Sequence, residues 1–309
     1  MIKKTLCFTN PAYLSLKDRQ LLIQLKEVTD EDDAEVSKKI METSRPIEDI
    51  GVVVLAHRQI TITSGAMSAL LDNNCAIITC DNRSMPTGLL LPLSGNSVQS
   101  ERFQEQINAS LPLRKQLWQQ TVQFKIRNQA AILKRNTTAE IGCMIEWANG
   151  VRSGDPDNIE GRAAHYYWQN LFGHIDDFAR DRDGIEPNAL LNYGYAILRA
   201  VVARALVSSG MLPTLGIHHH NRYNAYCLAD DIMEPYRPYI DQLVFDIVEQ
   251  QGLTNELTKE IKAKLLTIPT LDVVIEGKRS PLMVGVSQTT ASLYRCFSGE
   301  IRKIAYPEL

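Results

Sequence analysis

The chain has 309 residues, of which 44% are hydrophobic and 22% are charged, and its formal net charge is -3 at pH 7. This balance is typical of a globular protein long enough for two domains, and it excludes disordered, fibrous and strongly basic chains. The densest apolar run, 51–56, has the length of a strand and not of a membrane span, and the opening residues lack the apolar core of a signal peptide.

Six cysteines are scattered along the chain without a CxxC pair. This usage predicts reduced thiols in a cytoplasmic protein, and it argues against a disulfide framework or a zinc ribbon. Cys227 is close in sequence to the candidate site described below, but a buried core thiol is the favoured interpretation. We therefore expect a cytoplasmic protein that has no membrane partner.

Residues 1–95 are predicted to form a β-rich domain. Four segments have the apolar runs or alternation of strands: 15–26, 50–55, 60–62 and 76–79. The acidic stretch 27–35 predicts a loop or hairpin tip, and Ser64 is expected to cap a short helix over 64–71. His57 is the only histidine of this region, so no catalytic group is expected here.

The polar stretch 94–100 predicts a domain boundary. Beyond it the apolar residues recur at helical spacing, so we expect a larger, all-helical catalytic domain over 96–309 and an α+β fold. The segment 101–140 carries seven Lys and Arg residues against three Glu, with aromatic residues that include Trp118. By spacing alone, a solvated helical face is the favoured interpretation of this basic segment.

A helix is predicted over 158–172, and Glu160 has two open roles there. Asp157 and Glu160 have the spacing of a capping box, in which Glu160 would serve only the helix end. Gly161 follows directly, and a helical glycine costs about 1 kcal/mol relative to alanine, so we expect a close approach at this point. A functional carboxylate at Glu160 and a cap are equally supported by the spacing.

The clearest helix is predicted over 188–209, where apolar residues line one face. Asn192 and Tyr195 are polar groups on this apolar helix, so we expect them to hold hydrogen bonds inside the core. The remaining predicted elements are helices at 239–251, 256–266 and 288–297 and a strand at 272–275.

The stretch 215–238 contains the densest group of metal-binding residue types. Its candidates are His218, His219, His220, Asp230, Asp231 and Glu234. Asp230 and Asp231 precede Glu234 by four and three residues, so on a helix either can share a face with it. Imidazole nitrogen combined with carboxylate oxygen suits Mn²⁺ or Mg²⁺, and we expect Glu160 to supply a third ligand.

Four motifs follow one another in the helical half. They are NIEGRAA at 158–164, NALLNYGY at 188–195, LGIHH at 215–219 and DIMEPYRP at 231–238. Together they resemble the CRISPR-associated adaptation integrases, the Cas-one family, and most closely the type II version. The resemblance covers nearly the whole chain, because the β-rich start is similar to the family's N-terminal β-sandwich, which implies a dimerisation role for that domain.

The resemblance implies that Glu160, His219 and Glu234 are the metal ligands and catalytic residues. The family's histidine ends a Gly-x-x-His motif, which selects His219 over its two histidine neighbours. Asp231 matches an auxiliary acidic position. The implied activity is that of an endonuclease and integrase dependent on Mg²⁺ or Mn²⁺. Such an integrase inserts short foreign DNA fragments into a CRISPR array by attack of a 3′-hydroxyl on a phosphodiester.

The implied partners are double-stranded DNA, a second copy in a homodimer, the small Cas-two subunit and other type II CRISPR proteins. Segment 101–140 and Arg237 become candidate phosphate contacts, and Arg162 and Arg222 are added for their closeness to the motifs. Two alternatives stay open: a metal-dependent phosphoesterase with a compact pocket for a small substrate, and a non-catalytic scaffold.

Overall fold

The computed structural model describes residues 3–26 and 40–309, which divide into two compact units, one up to Leu93 and one from Ser94. The acidic loop predicted at 27–35 lies outside the described residues.

Two four-stranded sheets and one helix make up the N-terminal unit. Its elements are β1 (Lys4–Phe8), β2 (Ala12–Lys17), β3 (Gln20–Lys26), β4 (Ile40–Pro46), β5 (Ile50–Leu55), β6 (Ile60–Ile62), α1 (Ser64–Asp72), β7 (Ala76–Cys80) and β8 (Pro86–Leu90). One sheet has the order β1-β5-β7-β8, in which only β8 pairs antiparallel; the other has the order β4-β3-β2-β6, in which β6 lies parallel to β2.

Side chains from both sheets and from α1 form one apolar core. Leu14, Leu21, Ile50 and Leu70 are fully buried in it. Each buried side chain of this size contributes about 1.5–3 kcal/mol relative to exposure. The predicted β-rich region is therefore built as two layers that share a single interior.

Two local predictions for this unit are wrong. Segment 15–26 belongs to a hairpin and not to one strand, because Asp18 and Arg19 have φ values of 49° and 60°, which turn the chain between β2 and β3. The cap of α1 is Thr63, whose hydroxyl accepts a hydrogen bond from the Ala66 amide at 3.3 Å. Ser64 is already the first helical residue.

The C-terminal unit is mostly helical. Its elements are α2 (Gln99–Ile107), α3 (Leu111–Asn136), α4 (Gly142–Gly150), α5 (Ile159–Leu171), α6 (Asn188–Ser208), α7 (Cys227–Met233), α8 (Arg237–Gln251), α9 (Lys259–Leu265), β9 (Asp272–Ile275), β10 (Lys278–Pro281) and α10 (Leu282–Phe297), with 3₁₀ turns at Glu234–Tyr236 and Ile268–Thr270. The strand predicted at 272–275 is confirmed as β9. The expectation of an all-helical domain is wrong, because β9 pairs with β10 in an antiparallel hairpin that packs against α10.

Helices α3 and α6 run through the interior of this unit. The first packs against α4, α5, α8 and the turn at 234–236, and the second packs against α7, α8 and α10. By length and mean hydropathy α6 could cross a bilayer. The densest apolar run of the sequence, at 51–56, did not indicate this helix. However, 78% of its most apolar window is buried, as in the core helix of a globular unit.

Candidate active site

One lysine ammonium lies between two of the predicted carboxylate ligands. Lys125 of α3 contacts Glu160 of α5 through Nζ and Oε1, and the same Nζ lies 2.6 Å from Oε2 of Glu234. Lys125 and Glu234 are 8% and 6% exposed, so these two groups are buried, whereas Glu160 is half-buried. Two acids that are 74 positions apart in the sequence thus share one cation.

Glu234 remains ionised although it is buried. Burial by itself would raise the pKa of this carboxyl, but the charges of Arg237 and Lys125 outweigh burial and lower the pKa to about 2. Nε of Arg237 lies 2.8 Å from Oε1 of Glu234. Burial likewise opposes the charge on Lys125, yet Glu234 and Glu160 raise the pKa of this ammonium. Glu234, Lys125 and Arg237 therefore carry their charges at neutral pH.

The start of α5 leaves the Glu160 side chain available for this cluster. The helix end is capped by Asp155, whose carboxylate accepts hydrogen bonds from the amides of Ile159 and Glu160, both at 2.9 Å. Asp157 instead pairs with Arg152 at 2.7 Å, so the predicted capping box is wrong. The close approach expected at Gly161 is to the side chain of Asn158, whose Nδ2 would lie 2.8 Å from an added Cβ.

Glu234 occupies a 3₁₀ turn and not the first turns of a helix. Helix α7 ends at Met233, Pro235 follows inside the turn, and α8 begins at Arg237. The tight turn brings Arg237 back onto Glu234 three residues earlier.

Asp231 organises the histidine loop that precedes α7. Its buried carboxylate accepts hydrogen bonds from the amides of Ile217 at 2.7 Å, His218 at 3.0 Å and His219 at 3.2 Å. The same carboxylate lies 2.5 Å from Nδ1 of the His219 ring. Gly216 permits this wrapping, because an added Cβ would collide with the carbonyl oxygen of His219 and lie 2.7 Å from Asp231.

A tryptophan on α3 packs against two of the three histidines. The ring of Trp118 stacks on His218 with centroids 4.1 Å apart and an interplanar angle of 3°, and it meets His219 edge-on at 5.6 Å. All three histidines are exposed, and Nδ1 of His220 lies 2.6 Å from the carbonyl of His218. His219 is thus the histidine that both Asp231 and Trp118 fix in position.

The hydrogen bond with Asp231 raises the pKa of His219 above its usual 6.5, although burial opposes the shift. The charge of Glu234 acts in the same direction, so the histidine loop and the carboxylate pair are electrostatically coupled.

Two clefts border these groups. A cleft of about 680 Å³ is lined by Lys125, Glu160, Glu234 and Arg237 together with Arg180. A second cleft, of about 400 Å³, is lined by two histidines, His219 and His220, and by two arginines, Arg114 and Arg222. The structure thus brings two of the three predicted ligands into one cleft and His219 into the other.

The donor set fits a divalent cation in part. Oε2 of Glu234 is buried, and Nζ of Lys125 lies 2.6 Å from it. Over the described ranges, no three His, Cys, Asp or Glu side chains lie close enough together to hold a metal ion. The carboxylate pair is therefore already arranged around a positive charge, and His219 lines the other cleft.

The three predicted DNA-binding arginines have different surroundings. Arg162 lies over the Trp147 ring at 5.9 Å, and Arg222 lies over the exposed Tyr223 ring at 4.8 Å. Arg237 is bound to Glu234, so its charge is already balanced.

Sequence reasoning missed the roles of Lys125 and Trp118. Both fall in the basic segment 101–140, for which a solvated face was the favoured interpretation, and both are buried. The available signal is their separation of seven residues, which places them on the same face of α3, two turns apart.

Comparison with known proteins gives one consistent result. The family model described as CRISPR associated protein Cas1 matches residues 6–276. A CRISPR-associated endonuclease Cas1 from Neisseria meningitidis serogroup C is 37% identical over 293 residues, which are 94% of this chain and 91% of the relative.

Two solved structures have the same fold. A casposase bound to integration product has a TM-score of 0.79 at 18% identity, covering 98% of this chain and 92% of that one. A chain of a Cas6-RT-Cas1–Cas2 complex has a TM-score of 0.73 at 18% identity, covering 100% of this chain and 36% of that one.

Proposed function

The chain belongs to the Cas1 family, and from this premise we propose that it inserts short foreign DNA fragments into a CRISPR array as an endonuclease and integrase. The observation that carries the proposal is the convergence of Glu160 and Glu234 on one positive charge in an open cleft. Such a cleft suits a polymeric substrate that passes along a surface. A type II system in the cytoplasm is the setting that the sequence motifs favour.

Glu160, Glu234 and His219 would hold Mg²⁺ or Mn²⁺. A divalent ion there supplies the charge that polarises a phosphodiester and offsets the charge of the pentavalent transition state. Asp231 would orient His219 instead of binding the ion, because its oxygens already accept three backbone amides and face the imidazole.

In the reaction, the 3′-hydroxyl of the incoming fragment attacks a phosphorus of the target strand and loses its proton. The new P–O bond replaces the bond to the 3′ oxygen of the target, which leaves as a hydroxyl after it takes up a proton. With water as the attacking group, the same displacement is hydrolysis. Lys125 and Arg237 line the cleft and hold Glu160 and Glu234, the carboxylates that would bind the ion, in position.

The proposed activity decreases in acid. His219 binds a metal only when its imidazole is neutral, and its pKa is raised above 6.5. Protonation therefore begins to compete with metal binding at a higher pH than for an unperturbed histidine.

The proposed partners are double-stranded DNA, a second copy of the chain joined through the N-terminal unit, the Cas2 subunit and other type II CRISPR proteins. The casposase relative in fold is bound to its integration product, and another relative in fold belongs to a complex with Cas2. Arg162, Arg222 and Arg237 remain candidate phosphate contacts, and binding through such contacts weakens with salt.

The test is a strand-transfer assay with a fragment that has free 3′ ends, a repeat-containing target, the Cas2 subunit and Mn²⁺. We expect Glu160→Ala to abolish strand transfer while DNA binding and folding persist, because one of two converging carboxylates is lost. Glu146→Ala, which removes an exposed glutamate from α4, is the matched control. Normal strand transfer by Glu160→Ala, or wild-type activity that survives a chelator, would refute the proposed site.

A further inference from the structure

Arg180 lines the larger cleft and is held only by neutral groups. Its Nη1 donates to the carbonyl of Asp181 at 2.7 Å and to Oδ1 of Asn188 at 2.8 Å, and its Nη2 donates to Oδ1 of Asn192 at 2.7 Å. The guanidinium also lies over the ring of Tyr195, 5.2 Å from its centroid. These contacts fix the group without cancelling its charge.

Arg182 also lines this cleft without an ion pair among the described residues, whereas two further cations of the cleft are paired. Lys125 and Arg237 are paired with Glu160 and Glu234, so their charges are balanced inside the protein. Within the described ranges, Arg180 forms no ion pair with a carboxylate. The guanidinium is half-buried and fixed at the wall of the cleft, and its charge acts on Asp241 across the cleft without a direct ion pair.

The motif NALLNYGY explains how this arrangement arises. Asn188, Asn192 and Tyr195 are spaced by four and three residues, so they share one face of α6. Nδ2 of Asn188 also donates to the carbonyls of Ala179 and Ile185, both at 2.9 Å, which fastens the loop that carries Arg180. Asparagine performs this task as a neutral residue, whereas aspartate at the same positions would neutralise the arginine.

Arg180 also keeps donors for a ligand. A guanidinium has five N–H groups, and the contacts above use three of them, leaving Nε–H and one N–H of Nη2. In Arg152 the same two nitrogens, Nε and Nη2, bind both oxygens of Asp157 at 2.8 and 2.7 Å. A phosphate oxygen pair offers a guanidinium the same planar, charged acceptor.

We infer that Arg180 binds a backbone phosphate of DNA in the larger cleft and positions the strand beside the Lys125–Glu160–Glu234 cluster. The inference rests on the proposed function, since it takes DNA as the occupant of the cleft. Asn188, Asn192 and Tyr195 act through Arg180 as positioning residues. The phosphate binds by charge and by hydrogen bonds, independent of base sequence.

The experiment measures the affinity of the full-length protein for a fluorescent DNA duplex with single-stranded 3′ ends, across a KCl series and with chelator to prevent turnover. Arg180→Gln should weaken binding by on the order of tenfold, as expected for a hydrogen bond to a charged group. The plot of log affinity against log salt has a negative slope, and the variant should make it shallower. Its magnitude should decrease by about 0.9 if the lost phosphate contact lies in duplex, and by about 0.7 if it lies in a single strand. Arg279→Gln, which removes an arginine paired with Asp272 outside this cleft, should leave the slope unchanged.

Asn192→Asp provides a second test that retains the arginine. The new carboxylate should neutralise Arg180 and lower the salt slope by the same amount, whereas a purely structural role of the Asn192 contact would leave the slope as in the wild type. Wild-type slopes in both variants would overturn the inference. If the wild-type protein performs no strand transfer, the proposed function fails; if it does and the slopes are unchanged, only the role of Arg180 fails.

Discussion

The two units of the chain bury different kinds of side chain. Among the described residues of the N-terminal unit, every side chain classed as buried is apolar, as Leu14, Leu21 and Ile50 illustrate. The C-terminal unit buries five lysine, aspartate and glutamate side chains in addition to its apolar core: Lys125, Asp230, Asp231, Glu234 and Asp241.

This difference separates stability from chemistry. A buried ion pair loses hydration, and its own attraction often only restores what burial costs, so apolar side chains of the same size would stabilise a fold at least as well. The N-terminal unit follows that simpler solution. In the C-terminal unit three of these groups, Lys125, Glu234 and Asp241, line a cleft, where they can act on a ligand.

The largest effect is expected for Lys125→Ala. Glu160 and Glu234 would then face each other without the ammonium, and breaking a buried pair in this way costs about 3–5 kcal/mol. Mn²⁺ should raise the melting temperature of this variant more than that of the wild type, because the ion replaces the missing charge.

Thermal unfolding with and without Mn²⁺ measures both effects. Lys134→Ala removes an exposed lysine from the same helix and should change stability by no more than about 0.5 kcal/mol. Equal Mn²⁺ shifts in Lys125→Ala and the wild type would show that the ammonium and the metal do not share a position.

Leu14→Ala tests the other side of the comparison. It creates a cavity in the apolar core of the N-terminal unit and should destabilise that unit by about 2–5 kcal/mol. Strand transfer per folded molecule should be unchanged at a temperature at which the variant remains folded. Urea unfolding combined with the strand-transfer assay measures this, and lost activity in fully folded Leu14→Ala would contradict the separation of roles.

Asp241→Asn addresses a buried carboxyl that lies outside the carboxylate cluster. Asp241 accepts hydrogen bonds from Tyr195 and from Tyr167, the latter at 3.0 Å, and burial raises its pKa from 3.8 to about 7. The folded state therefore binds more protons than the unfolded state between these two values, and stability falls as pH rises through that window.

Replacing the carboxyl by an amide should remove this loss, which is roughly 4 kcal/mol at most. The difference in unfolding free energy between Asp241→Asn and the wild type, measured from pH 4 to pH 8, should grow in favour of the variant. A difference that does not change with pH would mean that Asp241 titrates normally.

Apolar patterns predicted the elements of the fold where the interior alone decides the structure. The run 50–55 and the helix at 188–208 are buried as expected. The hairpin between β2 and β3 was not predictable, because Asp18 and Arg19 adopt a left-handed turn without the glycine or asparagine that usually marks one. The resemblance to a family supplied the candidate acids and histidine, and spacing alone could not have joined Glu160 to Glu234.

Other features of the site depend on contacts between residues distant in sequence. Two aspartates precede α5, and spacing predicts Asp157 as the cap. Asp157 pairs with Arg152, however, and Asp155 caps the helix. The polar residues Asn192 and Tyr195 were expected to hold hydrogen bonds, which is confirmed, but their partners Arg180 and Asp241 could not be identified from the sequence.

Gly216 has a consequence for how this protein can change over generations. A side chain there would displace the backbone of His219 and the carboxylate of Asp231 together, so no single substitution offers a gradual path away from glycine. Tyr223, further along the same loop, is 83% exposed, so packing places no such restriction on it. Substitution is therefore restricted by packing at the Gly216 end of this loop and not at its exposed end.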